Sequence, residues 1–218
     1  AHTVRKGGSN WRVSQTVDVP NGLYSMSAQI GYALSDRHYL FLESSYQRQQ
    51  LMYKWNGSSN EDSNENILAN WGADEEAQRS SVGNVLVTDG KIVMGVDWIK
   101  DTEVIAFDNF RLVRVSDGAA EIKNAYSSLK EEGEGFVETL PTVLKQQLQE
   151  ALAKSPEDGA ATAAYYEAYN VLVPVMEECR PAAESVAKLV PLIEECQAYA
   201  ENSVTTSATR EAFEGVLE

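Results

Sequence analysis

Histidine and cysteine are nearly missing from this sequence, with two of each in 218 residues. That scarcity removes the side chains most used in nucleophilic catalysis. A Ser-His-Asp or Cys-His arrangement would have to recruit His2 or His38, and neither Cys179 nor Cys196 shares a half of the chain with a histidine. The patterns GxSxG, HExxH, GxGxxG and GxxxxGK[ST] do not occur. Carboxylate pairs abound, but an acidic chain supplies them by composition alone. The sequence therefore predicts a protein that is not an enzyme. Long apolar runs are also missing. None approaches the ~20 residues of a bilayer span. "AHTVRKGGSNW" has no apolar centre of the signal-peptide kind, so any export signal is expected outside this chain.

Positive charge is the third shortage. Lys and Arg number 18 against 33 Asp and Glu, a formal net charge of −15. Nucleic-acid binders gain affinity by releasing counterions to basic surfaces, so nucleic acid is excluded as a partner. The two cysteines set no disulfide framework. On one continuous helix Cys179 and Cys196 would stand about 25 Å apart, too far to bridge, whereas a bend at Pro181 would bring them closer. Neither has a neighbouring His or Cys, and both read as buried free thiols.

What is present falls into two halves, 1–117 and 118–218. The first is rich in Val, Tyr, Trp, Ser, Asn and Gly and alternates with period two. Trp11, Val13, Gln15, Val17 and Val19 share one face of a strand. Tyr24, Met26, Ala28, Ile30 and Tyr32 share another. Further strands are read at Leu51–Trp55, Val85–Val87, Ile92–Trp98 and 105–115, separated by turn signals such as "PNG" (20–22) and "TDG" (88–90). "LVTDGKIVMGV" reads as a hairpin, since Asp89-Gly90 suits the positive φ angles of a tight turn. Several short strands with such turns predict a β-sandwich or barrel, and an antiparallel β-sandwich is the reading adopted. Residues 56–80 interrupt it as a polar surface loop in which "ADEEAQR" could form one helical turn. After Ser116, Ala, Glu, Leu and Gln dominate and the period becomes helical. Helices are expected over roughly 118–131, 141–154, 160–179, 181–200 and 204–217, an antiparallel bundle. Pro141 and Pro181 suit first-turn positions, while Pro174 and Pro191 should kink or break the pattern. "LVPVMEEC" (172–179) recurs as "LVPLIEEC" (189–196), as two helical units packing alike would produce. The helical half carries −11 of the charge and the first half −4.

Within "IAFDNFRLVRV" (105–115), Phe107 and Phe110 can both face the core only if an extra residue is inserted, a β-bulge at Asp108–Asn109. Polar side chains at a bulge cap the turn or hold an ion. Aromatic residues at strand ends are the other informative group, because sugar rings stack on Trp and Tyr while their hydroxyls need polar partners. Trp55, Trp71 and Trp98 are the candidates for a ligand platform, with Asp36 and Arg37 in the turn after the second strand. Against that stands the ordinary role of a large ring, which is to fill a core. Trp11 continues an alternation and is assigned to the core.

Three segments in order resemble one family. "WRVSQTVDVPNGLYSMSAQIGY" (11–32) is similar to its Q-T-(x)n-P-N-G-x-Y-x-(x)-A-Q segment. "VGNVLVTDGKIVMGV" (82–96) is similar to its hairpin, and "FDNFRL" (107–112) to its closing strand. The family comprises galactose-binding-like β-jelly-roll modules of large secreted or surface proteins of Gram-negative gut bacteria, kin in fold to carbohydrate-binding modules. The resemblance covers most of residues 10–115, and 118–218 resembles the small three-helix modules that commonly follow. It implies glycan binding, an extracellular or outer-membrane-associated location, and the other domains of a larger surface protein as partners. It also implies a structural calcium ion, because an acidic residue in the closing strand often helps hold one and Asp108 matches that position. One departure is plain: family members have an earlier strand than 11–32, and this chain begins close to that segment. Without that strand the calcium lacks ligands and the sandwich lacks an edge. The resemblance thus points to a non-catalytic carbohydrate-binding module with a helical spacer or docking unit. The alternative is a structural or adhesive surface protein that contacts protein without binding sugar.

Overall fold

The structure, a computed structural model, describes residues 2–5, 11–32, 38–52, 79–98 and 104–202. The chain divides into two compact units, Ala1–Asn124 and Ala125–Glu218. Among the described residues the first holds eight strands: β1 (His2–Arg5), β2 (Trp11–Asp18), β3 (Gly22–Tyr32), β4 (His38–Glu43), β5 (Arg48–Met52), β6 (Arg79–Val87), β7 (Lys91–Trp98) and β8 (Val104–Ser116). They form two antiparallel sheets of four, ordered β1-β8-β3-β6 and β2-β7-β4-β5. One apolar cluster draws on both sheets. Met26, Ala28 and Ile30 of β3 meet Leu40 and Leu42 of β4, Val85 and Val87 of β6, and Ile92 and Val96 of β7. Period-two spacing in each strand puts these residues on one face and the intervening ones on the other.

The bulge lies where the Phe spacing requires it. Between Ser27↔Arg111 and Gln29↔Asp108, β3 advances two residues while β8 advances three. Asn109 sits in the left-handed region at φ 53, and its N–H donates to Asp108 Oδ1 at 2.7 Å. Phe107 joins the core, and Phe110 packs against it with ring centroids 5.9 Å apart and planes at 77°. β6 repeats the device on the opposite side of β3. Two residues of β3 (24 to 26) again face three of β6 (85 to 82), with Asn84 at φ 61.

One reading of this unit needs correction, and two of its features went unread. "LVTDGKIVMGV" is no hairpin, because β6 pairs with β3 and β7 pairs with β2 and β4. Gly90 does take a positive φ of 77, but its carbonyl accepts from the Val19 N–H (2.9 Å) and its own N–H donates to Asn21 Oδ1 (2.9 Å). The Asp-Gly turn fixed a reversal, not a partner strand. The hairpin is β4–β5, with Glu43 opposite Arg48. Ser44 closes it: its Oγ accepts from the N–H groups of Tyr46 and Gln47 (both 3.2 Å). Finally, β1 is an edge strand that period-two reading missed; it pairs with β8 from His2↔Phe107 to Arg5↔Val104.

The second unit carries the helices. α1 (Ala119–Phe136) begins before the division and runs through it; α2 (Thr142–Leu152) and α3 (Thr162–Asn202) follow. All three meet at Gly133, where an added Cβ would stand 3.2 Å from Met176 Sδ and 3.3 Å from Leu148 Cδ1. The expected helices at 160–179 and 181–200 are one helix of 41 residues containing Pro174, Pro181 and Pro191. Each proline removes one backbone bond, but the prolines are spaced so that the intervening turns keep theirs. Cys179 and Cys196 therefore do lie on one helix. Cys179 is buried, but Cys196 is exposed, which corrects its assignment as a buried thiol. The repeated octapeptides do not pack alike either. Leu172 and Met176 are fully buried, whereas Leu189 and Ile193 are 53% and 40% exposed. The helix expected at 204–217 and the turn at "ADEEAQR" lie outside the described residues. No described helix is long and apolar enough to cross a membrane.

Candidate functional site

Among the described residues of the first unit, the outer face of the β2-β7-β4-β5 sheet holds the densest polar arrangement. Leu40 and Leu42 enter the core, so Phe41 between them turns outward. Its row runs from Ser14 through Gly95 to Phe41 and Gln50. An outward Phe would ordinarily meet water, yet Phe41 is fully buried. Two arginines cover it. The guanidinium carbon of Arg12 lies 4.1 Å from the ring centroid and that of Arg48 4.5 Å, within cation–π range.

Two carboxylates fix those guanidiniums in place. Arg12 sits opposite Asp97 in the register, and Arg48 opposite Glu43. Arg12 reaches over the ring to Glu43 (Nη2–Oε2 2.5 Å) and keeps Asp97 at 3.6 Å. Arg48 crosses the other way to Asp97 and keeps Glu43 at 3.5 Å. The result is a charge-neutral square of two cations and two anions roofing an aromatic ring. Gly95 is essential to it, since an added Cβ would come within 2.1 Å of the Val13 carbonyl oxygen. Two guanidiniums hold about ten N–H donors, and the carboxylates accept several bonds each. Among the described residues the square uses a minority of them. It therefore sets donors and acceptors side by side on one sheet face.

The strand ends put some of the sequence-predicted residues nearby in register. Trp98 ends β7 directly after Asp97, and it pairs with Trp11 on one side and His38 on the other. The side chains of Trp11 and Trp98 lie outside the described ones, as do Asp36, Arg37, Trp55 and Trp71 entirely. Asp108 is in the other sheet, and its Oδ1 serves the Asn109 N–H. Arg79 Nη1 donates to the Asn109 carbonyl and to Ser27 Oγ, both at 3.2 Å, so the bulge is held from two sides. Among the described residues no three His, Cys, Asp or Glu side chains gather as a metal group. Calcium wants six to eight oxygens, and a carboxylate already holding the backbone is a poor start on that shell. Arg12, Glu43, Arg48 and Asp97 went unnoticed in the sequence. Their only signal was an alternation with apolar neighbours, which a solvated strand face shares.

The second unit has a cavity of about 600 Å³ lined by Glu132, Phe136, Arg180, Ala183, Val190 and Pro191 among others. Its polar feature is a bidentate pair, Arg180 Nε and Nη2 donating to Glu132 Oε1 and Oε2 at 2.7 and 2.8 Å. The hydrogen bonds from Arg180 hold the Glu132 carboxyl below its ordinary range and outweigh the opposing effect of burial. Cys179 is a core side chain, and burial, aided by Glu178, pushes its thiol up. The sequence matches no protein-family profile, and no curated protein is similar to it.

Proposed function

We propose that the first unit is a non-catalytic carbohydrate-binding module, with the outer face of β2-β7-β4-β5 as its sugar-binding surface. The observation that carries this reading is the neutral square of Arg12, Glu43, Arg48 and Asp97 locked over Phe41. Hydroxyl groups both donate and accept, and a plane of preset donors and acceptors meets them without ordering loose side chains. Trp98, next in sequence to Asp97, alternates with it and so belongs to the proposal only as a residue of the strand end. Trp55, Trp71, Asp36 and Arg37 belong to the same proposed surface by their sequence positions beside β4, β5 and β6.

The finer fold reading belongs to this proposal. Strand orders 1-8-3-6 and 2-7-4-5, in which the chain alternates between sheets except at β4–β5, support the jelly-roll reading. That order supports a galactose-binding-like sandwich, followed by a small helical bundle that acts as spacer or docking unit. The module then belongs to a larger secreted or cell-surface protein, whose other domains are its partners. A structural calcium at Asp108 is a separable part of the reading.

A glycan-array screen of the full chain, with calcium and with chelator, tests it. Binding to neutral glycans is expected, lost in Arg12→Ala and Arg48→Ala variants that keep their fold. No glycan bound by the folded chain under either condition would overturn the reading in favour of a structural or adhesive protein. Calcium-dependent binding or melting abolished by Asp108→Ala would establish the ion, and indifference to chelator would leave Asp108 as a bulge cap.

A further inference from the structure

The cavity of the helical unit is independent of the sugar-binding proposal. Its volume of about 600 Å³ lies within the range of small-molecule sites. α1, the turn after it and α3 form the walls, and Phe136, Ala183, Val186 and Val190 make them largely apolar. Gly135 also lines the cavity, and a Cβ built there meets no atom within 4 Å. The α1 wall therefore has room beside it for another molecule's atoms.

The polar groups of the lining are mostly acceptors. Two carboxylates, Glu132 and Glu184, stand against one cation, Arg180. Arg180 directs Nε and Nη2 to Glu132, whose oxygens keep about half of their acceptor sites. Thr139 donates its hydroxyl proton to the Phe136 carbonyl at 2.9 Å, so its Oγ1 can only accept. Pro191 has no N–H, which leaves the carbonyl of Ala187, also in the lining, without its helical donor. Surplus negative charge and open acceptors select a ligand that is cationic and donates, while the apolar walls select a body without polar atoms. The Phe136 ring adds a face of the kind that attracts ammonium groups. We propose that this cavity binds an amphiphilic amine, an ammonium head on an alkyl or aryl body. The head meets Glu184 and Glu132, and the body lies along Phe136, Ala183 and Val190. A carboxylate of the same length would bring a third negative charge, and an alcohol would bring no charge to answer the two already there.

Octylamine, octanol and octanoate share an apolar tail and differ in the head, so they separate the two contributions. Isothermal titration calorimetry of the full chain near neutral pH is expected to rank them in that order. Octylamine should bind about fivefold more tightly than octanol, the upper range for one partly exposed ion pair. Glu184→Gln, at an exposed position, should narrow that gap and leave octanol unchanged. Gly135→Leu fills the cavity at a helical position where leucine is the better helix former. It should abolish octylamine binding without lowering the melting temperature. Octylamine bound equally by Gly135→Leu would reduce the effect to bulk charge attraction and overturn the proposal. So would octanoate bound as tightly as octylamine, an unchanged gap in Glu184→Gln, or no octylamine binding by the wild-type chain.

Discussion

The Arg12 guanidinium stands 4.1 Å from the centre of the Phe41 ring, and this contact seals an aromatic side chain that faces away from the core. With Arg48 on the same ring, the two cations do for Phe41 what a second layer of protein does for Leu40 and Leu42. Each contact is partly exposed, so each is worth about 0.5–1 kcal/mol. Arg12→Ala and Arg48→Ala should each lower unfolding free energy by about 1 kcal/mol. Because they share one ring and both carboxylates, the double variant should depart from additivity, which urea denaturation of all four proteins measures. Additive losses would mean that the arginines do not act as a unit.

Gly95 admits no side chain. A Cβ there would meet the Val13 carbonyl oxygen at 2.1 Å and Ser14 Cα at 2.8 Å, both backbone atoms of β2. Neither can move without parting β2 from β7, the strands that carry Arg12 and Asp97. Gly95→Ala is expected to cost more than about 2 kcal/mol. A denaturation midpoint within error of wild type would contradict this packing.

Asn109 holds a left-handed conformation at φ 53, which Asn tolerates and Ala does not. Asn109→Ala should cost about 1–2 kcal/mol. Asn109→Gly should stay within about 0.5 kcal/mol, because glycine takes positive φ without steric penalty. Equal losses in the two variants would assign the role to the Asn side chain and not to its backbone. Thermal unfolding of both proteins separates these outcomes.

The Glu132–Arg180 pair gives the helical unit an acid sensitivity. Hydrogen bonds from Arg180 lower the folded-state pKa of Glu132. Its contribution is therefore present above the unfolded value, about 4.3, and fades as pH falls through the folded one. Both side chains are more than a third exposed, which screens the pair and keeps the effect under about 1 kcal/mol. Glu132→Gln should lower stability at pH 7 and flatten its decline between pH 5 and pH 3. Parallel pH–stability curves for the two proteins would contradict the assignment.

The sequence spoke most clearly where two constraints coincided. The three-residue step from Phe107 to Phe110 has one solution in a strand whose rings are both apolar, and the bulge at Asp108–Asn109 is that solution. The change in composition after Ser116 likewise marked the passage from strands to helices. It was least clear where the answer depended on distant residues. Asp89-Gly90 announced a reversal but not that β6 and β7 would pair in different sheets. "HYLFLE" hides an outward Phe in an apolar run, because only the arginines of β2 and β5 make that position dry. The prolines of α3 argued locally for breaks, yet the helix runs through all three, each removing one backbone bond. Cys196 read as buried because a free cysteine with no His or Cys beside it is ordinarily a core side chain, and the 17-residue interval turns it away from the side that buries Cys179.

The central claim is that the square over Phe41 binds sugar. Titration of the strongest glycan from the array into the wild-type chain and into Arg48→Met tests it most directly. Methionine keeps an apolar cover on the ring while removing the guanidinium. The account predicts at least a tenfold loss of affinity with the melting temperature nearly unchanged. Undiminished binding by Arg48→Met would contradict it and move the sugar to some other surface of the chain.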